Sequence, residues 1–183
     1  MIAVLCLAGC ATVRKVETGS HQVGERLSIS IDGAWNHLDF PGIKPAQVWT
    51  MEGIPIDELM IYSAIEDGVV MHDDSGGSDR KDIVFRSSMQ IEEMVSMFES
   101  VLTRDGSTFK LTKVEPSLFG GKKGFHFEYE RIRRVDGLRQ LGFGYGAVDK
   151  GQLFALIYHA PRLTFFPRYK DQVEDIARAV VIR

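Results

Sequence analysis

Residues 124–160 read GFHFEYERIRRVDGLRQLGFGYGAVDKGQLFALIYHA, and the expected fold follows from this stretch. Apolar residues alternate with polar residues or glycine, and Asp136-Gly137 and Asp149-Lys150-Gly151 interrupt the alternation. A period of two is the mark of a strand, and Asp-Gly between two such runs is a strong hairpin signal because it tolerates positive φ. The stretch is therefore predicted to be an antiparallel meander of three strands. FKLTKVEPS, at 109–117, precedes them as a fourth.

Closing the first hairpin with a two-residue turn at Asp136-Gly137 sets Phe127 opposite Gly146, Tyr129 opposite Gly144 and Arg131 opposite Gly142. A three-residue turn at 149–151 then sets Phe154 opposite Gly146 and Leu156 opposite Gly144. The middle strand becomes bare on one face, a trough floored by Gly142, Gly144 and Gly146 and ringed by Phe127, Tyr129, Phe154 and Leu156. Such a trough serves either as a floor for helix packing or as the base of an apolar pocket. The opposite face carries Leu141, Phe143, Tyr145 and Ala147, predicted beside Leu153, Ala155 and Ile157. Both faces are apolar, so both need cover.

Two amphipathic helices are available. In QIEEMVSMFESVLTRDG (90–106), Ile91, Met94, Val95, Phe98, Val101 and Leu102 form one apolar face, with Ser87 or Ser88 as N-cap and Gly106 as the stop. A closing helix beginning near Thr164 or Pro167 carries Phe166, Tyr169, Val173, Ile176, Ala177 and Val180. Upstream, RLSISIDGAW, AQVWTM, DELMIYSAI and IVFRS read as short strands. The expected class is α+β, an antiparallel meander with helices on both faces. A lipocalin-like barrel is the runner-up, disfavoured by the mid-chain helix.

The N-terminus carries a different signal. Residues Ile2 to Gly9 have only apolar or small side chains and one cysteine, and they lead into Cys10. The run is too short to span a bilayer but suits the apolar part of a secretion signal. Leu7-Ala8-Gly9-Cys10 resembles the lipobox of bacterial lipoproteins. That resemblance implies cleavage before Cys10 and acylation of its sulfur, whose thiolate is the nucleophile. The predicted organisation is a signal peptide at 1–9, a lipidated cysteine and flexible tether at 10–25, and one globular domain at 26–183. A tether of that length would hold the domain about 20 Å from the bilayer. Ala11, rather than Asp, after the cysteine favours the outer membrane.

The order of elements resembles the PsbP-like fold, found in extrinsic photosystem proteins and a Ran-binding nuclear import factor. The likeness rests on SISIDGAW (28–35), SLFGGKKGFHFEYE (117–130) and YKDQVEDIARAVVI (169–182), and spans residues 27–183. It implies binding or assembly rather than a reaction, and it carries no catalytic residues over.

Composition agrees with a single domain: 183 residues, 44% hydrophobic and 26% charged. The net charge of −3 gives no basic face for nucleic acid. Both cysteines, Cys6 and Cys10, lie in the signal region, so the body has no thiol nucleophile or disulfide. His72, Asp73, Asp74, Asp79 and Asp82 offer oxygens to a divalent cation, but their spacing is not that of an EF-hand, and a solvated acidic loop is the preferred reading. His126, Glu128 and Glu130 read as solvent-facing, with His159 far from His126. GFGYG lacks the strand-turn-helix setting of a dinucleotide fingerprint, and no G-x-S-x-G or HExxH occurs. No cofactor and no metal is predicted. Arg131, Arg133, Arg134 and Arg139 cluster at the first hairpin tip. They either protect an exposed sheet end or form a contact surface for anionic headgroups or an acidic partner.

The expected function is that of a lipid-anchored envelope lipoprotein, a non-catalytic module bound to the membrane by its lipid and to an envelope protein by its surface. A carrier of a small apolar ligand in the glycine-floored trough is the alternative, and an envelope enzyme the third.

Overall fold

The computed structural model describes residues 12–39, 44–72 and 82–183. The strands are β1 (Thr12–Val16), β2 (Gly19–Val23), β3 (Leu27–Ile31), β4 (Trp35–Asp39), β5 (Gln47–Thr50) and β6 (Glu58–Ile65). Helix α1 (Ile91–Leu102) comes next. It is followed by β7 (Thr108–Phe119), β8 (Lys122–Ile132), β9 (Arg139–Asp149), β10 (Gln152–Pro161), α2 (Phe165–Arg178) and β11 (Val181–Ile182). Eight strands form one antiparallel sheet in the order β1-β4-β5-β6-β10-β9-β8-β7, and β11-β3-β2 form a second. The large sheet is open, with β1 and β7 at its edges, so the fold is the α+β sandwich and not a barrel.

Alternation along the strands sorts side chains into two cores. On the α2 side, Phe143, Ala147, Phe154, Leu156 and Tyr158 pack with Phe166, Val173 and Ile176 of α2 and with Leu27, Ile29 and Ile31 of β3. On the α1 side, Phe125, Phe127, Tyr129, Ala155 and Ile157 pack with Met94, Val95 and Phe98 of α1. Helix α1 starts on a capping box at Gln90, whose backbone N–H donates to Glu93 at 2.7 Å. Ser87, expected to cap it, instead donates its N–H to Asp67 at 2.7 Å. IVFRS forms only an isolated bridge, Val84 to Val70, with Phe85 buried beneath it.

Both hairpins close differently from expectation. The last β8–β9 pair is Ile132 with Arg139, and inside it the Arg133 N–H donates to the Leu138 carbonyl at 3.0 Å. The turn is thus a four-residue loop, 134–137, with Gly137 in the left-handed region at φ 69°. Asp136 is committed within it, accepting from the Leu138 N–H at 3.1 Å and from Arg133. This moves the register by two residues, setting Phe125, Phe127 and Tyr129 opposite Gly146, Gly144 and Gly142. The β9–β10 turn has two residues, Lys150 and Gly151, both at positive φ (53° and 78°), the pairing that suits right-twisted strands. One residue fewer in that loop inverts the faces of β10. Phe154 and Leu156 therefore point to the α2 side, and Leu153, Ala155 and Ile157 to the α1 side.

The tether is also corrected. Residues 12–23 are two strands: β1 pairs with β4 over Thr12↔Asp39 to Val16↔Trp35, and β2 pairs with β3 over Gly19↔Ile31 to Val23↔Leu27. Val13 and Val16 in β1 and Val23 in β2 give these polar segments apolar positions, and backbone pairing supplies the rest. Residues 1–11, and with them the predicted signal and Cys10, lie outside the described residues.

Candidate functional site

The most chemically distinctive concavity is a cleft of about 380 Å³ on the α1 side of the large sheet. Ala46 and Val48 of the β5 region, Met60 and Tyr62 of β6, Met71, and Val101 and Leu102 at the end of α1 give it one apolar side, while Lys44, His72, Arg104 and Asp105 also line it. One end is polar, where Glu58 of β6, Arg131 of β8 and His159 of β10 come together. Strand pairing dictates this meeting: His159 lies opposite Glu58 on one side and Gly142 on the other, and Gly142 lies opposite Tyr129.

Arg131 is buried and ties α1 to the sheet. Its Nε donates to the Leu102 carbonyl at 3.0 Å, one Nη to Gln140 Oε1 at 2.8 Å, and the other to Asp105 Oδ2 at 2.8 Å. It thereby satisfies a carbonyl at the C-terminal end of α1, whose last turn contains no basic residue of its own. Desolvation works to raise the Asp105 carboxyl, but hydrogen bonds from Ser107 and the Arg131 guanidinium outweigh it and hold the group below its usual range.

His159 is 2% exposed. Its Nδ1 lies 3.1 Å from the Tyr129 hydroxyl, while Nε2 has no hydrogen-bond partner and stands 3.7 Å from Glu58 Oε2. Burial, with Arg131 and Arg133 adding to it, pushes the imidazole pKa down to about 3. Burial raises the Glu58 carboxyl, although its side chain keeps 25% exposure through the cleft and Arg131 and Arg133 pull the other way. An imidazole that protonates only near pH 3 neither takes up nor releases a proton near neutrality. His159 is thus held neutral beside Glu58, 3.7 Å away and not hydrogen-bonded to it. In the sequence His159 stands out only by its distance from His126, and Glu58 does not stand out at all. The signal there is a carboxylate and a histidine on alternating apolar strands.

The glycine trough is real but filled. Phe127 and Tyr129 are buried. A Cβ on Gly142 or Gly144 would overlap the Tyr129 or Phe127 ring, and one on Gly146 would lie 2.6 Å from Phe125 Cζ. Phe98 of α1 closes the stack, its centroid 6.0 Å from that of Phe127. Phe154 and Leu156 lie on the other face. Of the two readings of the trough, the geometry is that of a packing floor, because aromatic rings occupy the space that the missing side chains leave.

The arginine cluster comes apart for a similar reason. Arg131 is buried, and Arg133 is clamped, its guanidinium reaching Asp136 and the Pro55 carbonyl at 2.5 Å. Arg134 and Arg139 are exposed. His126, expected in solvent, is buried, stacks on Tyr145 at 4.4 Å and pairs through Nδ1 with Glu115 at 3.1 Å. Asp57, not singled out in the sequence, is buried and accepts from Thr50 Oγ1 and from the N–H groups of Met51 and Glu52, which fixes the β5–β6 loop. Asp73, Asp74 and Asp79 lie outside the described residues. Among the described residues no group of three or more metal-ligating side chains converges, and no helix is long and apolar enough to cross a membrane.

No protein-family profile matches the chain, and no curated protein matches it. Among solved structures it is similar to cyanobacterial PsbP (CyanoP) from Synechocystis sp. PCC 6803. The TM-score is 0.59 and the identity 12%, over 100% of this chain and 99% of that one. A fainter likeness, TM-score 0.41 and 10% identity over 93% of this chain and 91% of the other, is to LpqN, involved in cell envelope biogenesis of Mycobacterium tuberculosis. The first likeness shows that the fold is PsbP-like. At such identity it carries the architecture alone.

Proposed function

We propose that this chain is a lipid-anchored, non-catalytic module of the cell envelope, held at the outer membrane through Cys10 and engaging an envelope protein through its surface. The observation that carries the non-catalytic, surface-binding part is the filling of the glycine trough: the rings of β8 and Phe98 of α1 occupy it, and α2 packs on the opposite face of the sheet. The lipobox-like LAGC supports the anchor.

The short interval between Cys10 and β1 bears on how such an anchor would work. β1 begins at Thr12, two residues after Cys10, and two extended residues reach at most about 7 Å. The acylated protein therefore has no long spacer and lies against the bilayer by its β1 edge, where Arg14 and Lys15 are exposed. Each has an acidic neighbour, Asp39 or Glu17, in an exposed pair of the kind that binds weakly. Their charges are thus available to anionic headgroups. Mass spectrometry of the protein extracted from membranes is expected to show a mature chain starting at Cys10 with added acyl mass, and Cys10→Ala is expected to abolish it. Unmodified mature chain in the soluble fraction would overturn the anchor. The partner is tested separately, by crosslinking in intact cells. One protein crosslinked to the anchored chain and lost on Cys10→Ala supports the module, and a chain crosslinked to nothing but itself speaks against it.

A further inference from the structure

The cleft beside His159 has the features of a binding site that the anchored-module reading does not use. We propose that it binds a small uncharged amphiphile, an alcohol or phenol, whose hydroxyl bridges His159 Nε2 and Glu58 while its apolar body lies against Val48, Met60 and Val101.

The polar end sets the head group. Tyr129 is buried, and His159 Nδ1 is the partner found for its hydroxyl. If the hydroxyl accepted from Nδ1–H, its own proton would be left without an acceptor. The phenol therefore donates to Nδ1, and the imidazole proton resides on Nε2. That N–H is buried without an acceptor, a state that costs a folded protein the full desolvation of the group. Glu58 Oε2, at 3.7 Å, is too far to accept directly. A single oxygen placed at hydrogen-bond distance from both atoms satisfies them together. A hydroxyl accepts from Nε2–H and donates to an ionised Glu58, or accepts from both if Glu58 is protonated. It is thus compatible with either state of a carboxyl whose affinity for protons is raised. An ammonium cannot accept from Nε2–H, and a carboxylate accepts from Nε2–H but repels an ionised Glu58. Because Lys44, Arg104 and Arg131 also line the cleft, the carboxylate is the competing head group that the test must separate.

The walls set the body. A volume of about 380 Å³ exceeds the roughly 30 Å³ share of one water by an order of magnitude and falls in the range of small-molecule sites. Water alone satisfies the polar end and leaves the apolar side without a partner.

The test uses acyl-free protein in solution, so its failure is independent of the anchor. 2-Naphthol, naphthalene and 2-naphthoate are titrated and followed by amide and imidazole nitrogen chemical shifts. Expected is binding of 2-naphthol about tenfold tighter than either analogue, with the His159 Nε2 resonance moving on saturation. His159→Leu should remove the preference for the hydroxyl. Because that change also strips Tyr129 of its acceptor, Glu58→Gln, at a partly exposed position, is the second variant, and it should weaken 2-naphthol several-fold while the amide spectrum stays folded. Ala46→Trp should fill the cleft and abolish binding of all three probes. Equal binding of 2-naphthol and naphthalene, tighter binding of 2-naphthoate, or no response to 2-naphthol would overturn the proposal and leave the cleft to water.

Discussion

Two neighbouring regions on the α1 face of the large sheet meet at Tyr129. Its ring covers Gly142 in the trough, and its hydroxyl bonds His159 in the cleft. In the trough, glycines on β9 make room for the rings of β8, and α1 lays Phe98 over them. In the cleft, β10 and β6 present His159 and Glu58, and α1 has reached its end at Leu102. The helix is about 18 Å long at 1.5 Å per residue, against about 36 Å for the eleven residues of β8. The helix cannot cover the whole face. Where it packs, the sheet is dry and filled. Where it stops, Arg131 secures its last turn and a polar-ended cleft remains. Coverage by the helix, more than residue hydrophobicity, separates packing floor from candidate site.

Overfilling the trough tests this contrast most severely. Gly144→Val places a branched side chain against Phe127, with Ile157 Cγ1 only 3.2 Å from the new Cβ. Overpacking a rigid core of rings is expected to cost about 3 kcal/mol, read as a lowered urea midpoint with an unchanged slope. A loss below about 0.5 kcal/mol, the size of a surface effect, would show that the trough is open.

The cleft is expected to respond to pH where the trough does not. His159 has a folded pKa of about 3 against 6.5 for a free histidine. Well above pH 6.5 it is neutral in both states. As pH falls from 6.5 toward 3, the unfolded chain takes up a proton that the native chain refuses, so stability declines, levelling off below 3. Glu58 acts in the opposite sense, since its raised pKa lets the native state take a proton first. Arg131, Arg133 and Asp105 also face this pair, and the effect is therefore read against a variant. Relative to His159→Leu, the parent chain should lose about 2 kcal/mol more between pH 6.5 and about pH 4.5, because a tenfold difference in proton affinity is worth about 1.4 kcal/mol. Parallel stability curves for the two proteins would show that His159 is not buried as described.

The smallest effect is expected outside both regions. Arg134→Gln with Arg139→Gln removes two exposed charges from the hairpin end and should change thermal stability by less than about 0.5 kcal/mol. If these residues touch anionic headgroups, retention on vesicles containing anionic lipid should fall in the double variant and fall further with salt. Unchanged retention would leave them as solubilising residues.

Much of the architecture is legible in the sequence because it follows from short-range periodicity. The spacing of Met94, Val95, Phe98 and Leu102 predicts α1, and the alternation through 124–160 predicts the meander and the apolar character of both faces. The trough falls on the right strand, with Phe127 and Tyr129 correctly over glycines but each paired one glycine too far along. Phe154 and Leu156 are expected on the wrong face. The N-terminal strands escape the reading because TVRKV and GSHQV carry little apolar signal and are held mainly by pairing. The cleft is not legible: Glu58, Arg131 and His159 come from strands far apart in the chain, and nothing local announces their meeting.

The α+β sandwich follows from the order of amino acids alone: two-faced apolar strands require cover, and two amphipathic helices are there to provide it. Register, facing and site are tertiary outcomes. A hairpin loop one residue shorter inverts every side chain on the following strand, and Lys150 at φ 53° is in a backbone state that lysine seldom adopts. That choice is made by the fit of the whole strand, which buries Phe154, Leu156 and Tyr158 against α2 and leaves His159 facing Glu58. Burial summed over the strand outweighs the preference of one residue, and so the turn follows the sheet.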